Sequence, residues 1–138
     1  MKATGAPSAE VAPPDAKGKK EYLFLIYEAE SRWASLSQAE ATAIFTRYMD
    51  FSKSLKQNGH FVAGEQLDTV KKAKCVSVKG GERVVRDGPF AETREQLGGY
   101  YRVVARDLDE AIALAAKIPA AETGVVEIRP IMDTSAYE

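Results

Sequence analysis

Asp87-Gly88-Pro89-Phe90-Ala91-Glu92-Thr93-Arg94-Glu95-Gln96-Leu97-Gly98-Gly99 is too polar and too rich in turn residues for a core element, yet it lies between segments that read as strands. Before it, Lys74 to Val78 and Glu82 to Arg86 flank Gly80-Gly81, the pattern of a tight hairpin. After it, Gly99 to Ala105 has the apolar and β-branched character of a strand. Asp107-Leu108-Asp109-Glu110 then reads as a capping box, opening a helix with Leu108, Ile112 and Ala115 on its apolar side and Pro119 at its end. A last strand is expected over Val125 to Ile131. The stretch is thus a seam between an inserted hairpin and a closing β-α-β unit.

Upstream of the seam, Tyr22-Leu23-Phe24-Leu25-Ile26-Tyr27 is a continuous apolar run of strand length, suited to a central position buried on both faces. Glu28 to Leu36 reads as a polar connection in which Trp33 is the one large apolar group. Ser37-Gln38-Ala39-Glu40 matches a capping box. Ala41, Ile44, Phe45, Tyr48, Ser52 and Leu55 follow at helical spacing, and Asn58-Gly59 supplies a left-handed stop. His60 to Leu67 is the second strand. Setting the hairpin aside, the order is β-α-β-β-α-β: an α+β, ferredoxin-like arrangement with a four-stranded antiparallel sheet and two helices on one face.

That arrangement leaves the other face bare, and a first strand with bulky groups at both parities makes it apolar. A homodimer packing sheet against sheet is expected, since two-fold symmetry lets one surface cover itself. The alternative is a monomer whose hairpin and N-terminal segment cover the face. Residues 1–20, with Pro7, Pro13, Pro14, Gly5 and Gly18 and no apolar period, read as a flexible arm. The domain is expected over residues 21–134, with a short tail at 135–138.

The 138 residues, 45% hydrophobic and 28% charged, suit one globular domain. Nineteen basic against twenty acidic residues leave no net positive field, so neither nucleic acid nor a membrane surface is an expected partner. A single cysteine, Cys75, makes no internal disulfide. With one histidine, His60, the chain also lacks the ligands of a zinc or iron-sulfur site, and no metal or cofactor is expected. No apolar run reaches the roughly 18 residues of a membrane span, and the N-terminus has no signal-type apolar core. A cytoplasmic setting is the expectation.

Candidate site residues come first from the seam. Asp87, Glu92, Arg94 and Glu95 stand close together beside a glycine and a proline that fix the turn. Asp87 is either a proton-transfer or ligand-binding group or a plain turn former, and Thr93 with Gln96 can cap a single helical turn closed by Gly98. Glu92, Arg94 and Glu95 read first as a solvated loop ion-pair group. Glu65 follows Gly64 in an otherwise apolar strand, where a carboxylate needs a partner, a cavity or solvent. Glu65 can face one pocket together with Asp87, Tyr27 can offer a hydroxyl to that pocket, and Trp33 can stack on a flat ligand or pack into the core. His60 reads as a surface residue at a helix-strand junction and Cys75 as a buried or inert strand thiol.

Asp87-Gly88-Pro89-Phe90 with Ala91-Glu92-Thr93-Arg94-Glu95 resembles the signature of the YCII-related domain family, in particular its DGPF-domain branch. The likeness runs through Leu25-Ile26-Tyr27, Gly64-Glu65-Gln66-Leu67, Gly98-Gly99-Tyr100, Asp107 to Ala111, Lys117 to Ala120 and Val126 to Pro130. The resemblance implies a dimeric α+β barrel, similar to that of muconolactone isomerases and related dehydrochlorinases. It also implies a small cofactor-independent enzyme, a lyase or isomerase moving a proton on a small organic molecule. Asp87 and Glu65 would then be acid and base, with Tyr27, Glu92, Arg94 and Trp33 holding the substrate and Arg94 as an anion contact. Some members carry a histidine and aspartate that exchange protons; here His60, at the start of the second strand, departs from that dyad. The alternative function is a ligand-binding or regulatory module without catalysis, since DGPF-type domains also occur with sigma factors of the extracytoplasmic-function type. A third is a dimeric interaction protein with no pocket.

Overall fold

A computed structural model describes residues 19–137. The arm expected over residues 1–20 lies outside them except for Lys19 and Lys20, and Lys20 already opens the first strand. That strand, β1 (Lys20–Ala29), places Tyr22, Phe24, Ile26 and Glu28 on one buried side, and Leu23, Leu25 and Tyr27 on the other. It reaches two residues beyond the apolar run, because alternation toward the core continues into Glu28.

The polar connection that follows is in part helical: α1 (Glu30–Ala34) is a single short turn, and α2 (Gln38–Gln57) is the long helix. Both halves of the Ser37–Glu40 capping box form, with Ser37 N donating to Glu40 at 2.8 Å and Glu40 N donating to Ser37 at 3.1 Å. The helix buries Tyr48, Phe51, Ser52 and Leu55, and Gly59 takes φ +75° to turn the chain into β2 (Phe61–Gln66).

After a 3₁₀ turn at Val70–Lys72 come β3 (Lys74–Lys79) and β4 (Glu82–Asp87), joined through Gly80 and Gly81, both at positive φ. This hairpin forms its own two-stranded sheet. β5 (Glu95–Ala105) begins four residues earlier than its apolar content indicates, because Glu95, Gln96 and Leu97 pair with Ala29, Glu28 and Tyr27. The helical turn expected at Thr93 to Gln96 is therefore absent; Thr93 instead donates its hydroxyl to Glu95 O at 2.6 Å. α3 (Leu108–Ala115), α4 (Ala120–Thr123) and β6 (Val125–Pro130) complete the domain.

The main sheet runs β2-β5-β1-β6 with every neighbouring pair antiparallel, an α+β, ferredoxin-like topology. Its core joins Phe24, Tyr101 and Val103 to Phe51 and Leu55 of α2 and to Ala111, Ala115 and Ile118 around α3. Leu108 and Ile112 instead face outward, about half exposed, so α3 is rotated from the face its larger side chains suggest. Alanines at the contact bring helix and sheet close together. Asp107 accepts from Glu110 N at 2.9 Å, but the Glu110 carboxylate reaches Arg106 N rather than closing the box on Asp107. Among the described residues no helix is long and apolar enough to cross a membrane.

Candidate functional site

At the end of the sheet where β1 meets α1, the core is not filled. A cavity of about 220 Å³ lies there, with Ile26, Glu28 and Tyr101 from the sheet, Trp33 from α1 and Tyr48 from α2 in its walls. The most buried charged group in it is Glu28, 9% exposed. A carboxylate at that depth needs donors. Thr123 supplies one at 2.6 Å to Oε2, the Trp33 indole a longer one at 3.4 Å to Oε1, and the Arg32 guanidinium stands 4.0 Å from Oε2. Gly124 makes this seal possible. A Cβ there would fall 2.1 Å from Tyr27 O and 2.9 Å from Glu28 Cγ, so only a glycine lets the α4–β6 junction come so close.

Two phenols complete the wall, and neither ionises readily. Burial, then the nearby Glu28 charge, pushes Tyr48 well above the ordinary tyrosine value. Burial pushes Tyr101 up to about 12, against a lowering hydrogen bond with the Ser52 hydroxyl at 2.9 Å. Edge-on packing of Phe51 against Tyr101, ring centres 5.2 Å apart, holds the second phenol in place. Glu30, in the first turn of α1, also lines the cavity and accepts from Val70 N at 3.1 Å through Oε2, tying α1 to the turn before the hairpin.

A second, shallower hollow of about 570 Å³ lies at the same end, against the sheet face that carries no helix. Tyr27 and Leu97 come from the strands, and Pro89, Phe90, Ala91 and Thr93 from the seam. Leu67, Thr69 and Gln96 line both hollows and form the partition between them. The Gln96 amide donates to Ala91 O at 3.0 Å and Thr93 O at 2.8 Å, so a cavity residue fixes the shape of the seam loop.

The expected site residues are thereby distributed. Trp33 lines the inner cavity and Tyr27 the outer hollow. Glu65 borders the inner cavity, but its register opposite Tyr100 places its side chain on the helix-free face, where the Tyr100 hydroxyl donates to it at 3.0 Å. Asp87 lines neither hollow. It pairs with Lys74 across the hairpin, its side chain 81% exposed, and the lysine ammonium holds its carboxyl below the usual aspartate value. The expected meeting of Asp87 and Glu65 in one cavity is not found, because Asp87 belongs to the separate hairpin sheet and Glu65 to the main one. Glu92 and Arg94 are exposed and also line neither hollow.

Sequence reasoning did not single out Glu28, Glu30, Tyr48, Tyr101 or Gln96 as site residues. A signal for Glu28 was present: it continues the i, i+2 series of Tyr22, Phe24 and Ile26 and so faces the core. His60, expected at the surface, is instead buried at the helix-strand junction, where its Nδ1 lies 2.8 Å from Val104 O and the ring is held against β5. Cys75 lies 3.3 Å from Gly88 O at the hairpin base. Among the described residues, no three His, Cys, Asp or Glu side chains gather to hold a metal ion.

Comparison with known proteins agrees with this architecture. An uncharacterized protein of Rhizobium meliloti (strain 1021) is 32% identical over 112 residues, covering 80% of this chain and 90% of that one. Residues 21–135, which span the main sheet, its helices and the hairpin, match the YCII-related domain, and the chain belongs to that family.

Proposed function

We propose that the chain binds a small organic molecule in the inner cavity, without a cofactor. The observation that carries this reading is a cavity kept open beside a buried carboxylate, Glu28, with an indole and two phenols around it. Convergent polar groups in an otherwise apolar hollow are the usual composition of a ligand site. Trp33 is the one tryptophan in the chain, so its emission reports directly on the cavity. Screening small molecules by thermal shift tests the proposal. A ligand of this site raises Tm saturably and shifts Trp33 emission with the same midpoint. Stabilising compounds that all leave Trp33 unchanged would sink the assignment.

A second reading, proton transfer of the lyase or isomerase type, is favoured by the Glu65–Tyr100 pair on the helix-free face. A carboxylate hydrogen-bonded by a phenol is a competent acid-base group once solvent is excluded. In this reading two copies pack their helix-free faces, with Leu23 and Leu25 at the contact, and so cover Glu65 and Tyr27. Asp87 then serves as the turn former of a DGPF-type motif, not as an acid or base. Light scattering tests the dimer, and a monomer at micromolar concentration removes the cover this chemistry needs. Given a turned-over substrate, Glu65→Gln should abolish turnover and retain binding; unchanged turnover would place the chemistry elsewhere.

A further inference from the structure

We infer that the inner cavity takes a small organic cation, an ammonium or amidinium on a flat apolar body, in preference to an organic anion. The inference rests on the cavity being the ligand site. Of the three glutamates that line it, Glu28 and Glu30 come from β1 and α1 while Glu65 turns its carboxylate to the helix-free face, and among the described residues no lysine, arginine or histidine lines it. Arg32 reaches Glu28 from an adjoining cleft and not from the cavity wall. Arg94, the expected anion contact, lines neither hollow.

The acceptors also have capacity to spare. Glu28 Oε1 receives only the 3.4 Å contact from Trp33, and Glu30 accepts from Val70 N through Oε2 alone among the described residues. A carboxylate oxygen has two lone pairs, so a ligand bringing N–H groups completes these shells where an anion brings repulsion. The uncharged walls point the same way. Trp33, Tyr48 and Tyr101 offer ring faces and edges, and phenols held in the neutral form add no negative charge of their own. The amides of Gln66 and Gln96 tolerate either sign and serve to orient the ligand.

Three probes of one shape and different charge test this on the full chain: benzamidine, benzyl alcohol and benzoate, read by Trp33 emission and thermal shift near pH 7. Benzamidine should bind saturably and at least tenfold more tightly than benzoate. Glu30→Gln should weaken benzamidine about tenfold, the effect of one charge-assisted hydrogen bond, and change benzyl alcohol less than twofold. Glu30 is preferred to Glu28 for this test because it is the less buried of the two. Benzoate binding as well as or better than benzamidine, with Trp33 responding, overturns the charge preference and leaves the cavity as a ligand site. Equal loss of benzamidine and benzyl alcohol in Glu30→Gln also overturns it. Silence of Trp33 toward all three at millimolar concentration overturns the ligand-site reading itself.

Discussion

Glu28 lies one residue from the end of a central strand with its carboxylate enclosed by α1 and the Thr123 hydroxyl, whereas Asp87 stands at the foot of a two-stranded hairpin, paired with Lys74 in open solvent. The side-chain chemistry is the same. At Asp87, water competes with the lysine, and losing the pair returns both groups to solvent. At Glu28 water is largely excluded, so each missing donor leaves a desolvated charge behind. The conspicuous motif therefore marks a turn and a family, while the carboxylate with the larger energetic stake sits where the sequence looks like ordinary strand end.

Mutations can break this contrast, and the largest effect is expected where no charge is changed. Gly124→Ala drives a methyl into Tyr27 O and the Glu28 side chain, neither of which can move freely, and should cost about 3 kcal/mol in urea denaturation. A cost under about 1 kcal/mol would mean that the α4–β6 junction is looser than its glycine indicates. Glu28→Ala should follow, at about 2 kcal/mol, because it strands the donors gathered around the carboxylate.

Tyr101→Phe comes next, at about 1 kcal/mol near neutral pH, for the loss of the buried bond to Ser52. It also carries a pH signature. The folded phenol is pushed up to about 12, above the ordinary value of about 10, so its contribution is full below pH 10 and is lost as pH rises through 12. Tyr101→Phe should flatten the fall in stability over that window, measured by denaturation at fixed pH values; an unchanged alkaline slope would contradict the burial of this hydroxyl.

Asp87→Asn should have the smallest effect, a Tm change within the error of calorimetry. Its carboxyl is held low by Lys74, so any contribution is present above the unfolded aspartate value and disappears as pH falls through the lower folded one. Carboxyl NMR should place the Asp87 midpoint below that of an ordinary aspartate, and Lys74→Met should return it. If Asp87→Asn costs as much as Glu28→Ala, the contrast between the two regions fails.

Elements with strong local chemistry were legible in the chain. Ser37 and Glu40 announced α2, Asn58-Gly59 its end, and Gly80-Gly81 the hairpin, because each fixes backbone geometry within a few residues. The β-α-β-β-α-β order followed from them. Features set by packing were not legible. α1 is five residues long with one large apolar group, too short to show a period. The rotation of α3 depends on how closely Ala111 and Ala115 approach the sheet, which Leu108 and Ile112 conceal. The early start of β5 was hidden because Glu95 and Gln96 earn strand geometry from pairing with β1, not from their own preference. Trp33 was identified from its isolation in a polar segment; its neighbours in the cavity arrive from α2 and β5, whose meeting place no local pattern specifies.

The hairpin's own geometry has a practical consequence. Val76, Val78 and Val85 lie on one of its sides and are each more than half exposed, while nothing lies within 4 Å of the Cβ positions of Gly80 and Gly81 at its tip. The tip is therefore a tolerant insertion point, standing clear of the main sheet. A peptide tag or fluorophore placed between those glycines becomes a reporter for anything that docks on the valine side, with Trp33 left as an independent optical channel for the cavity.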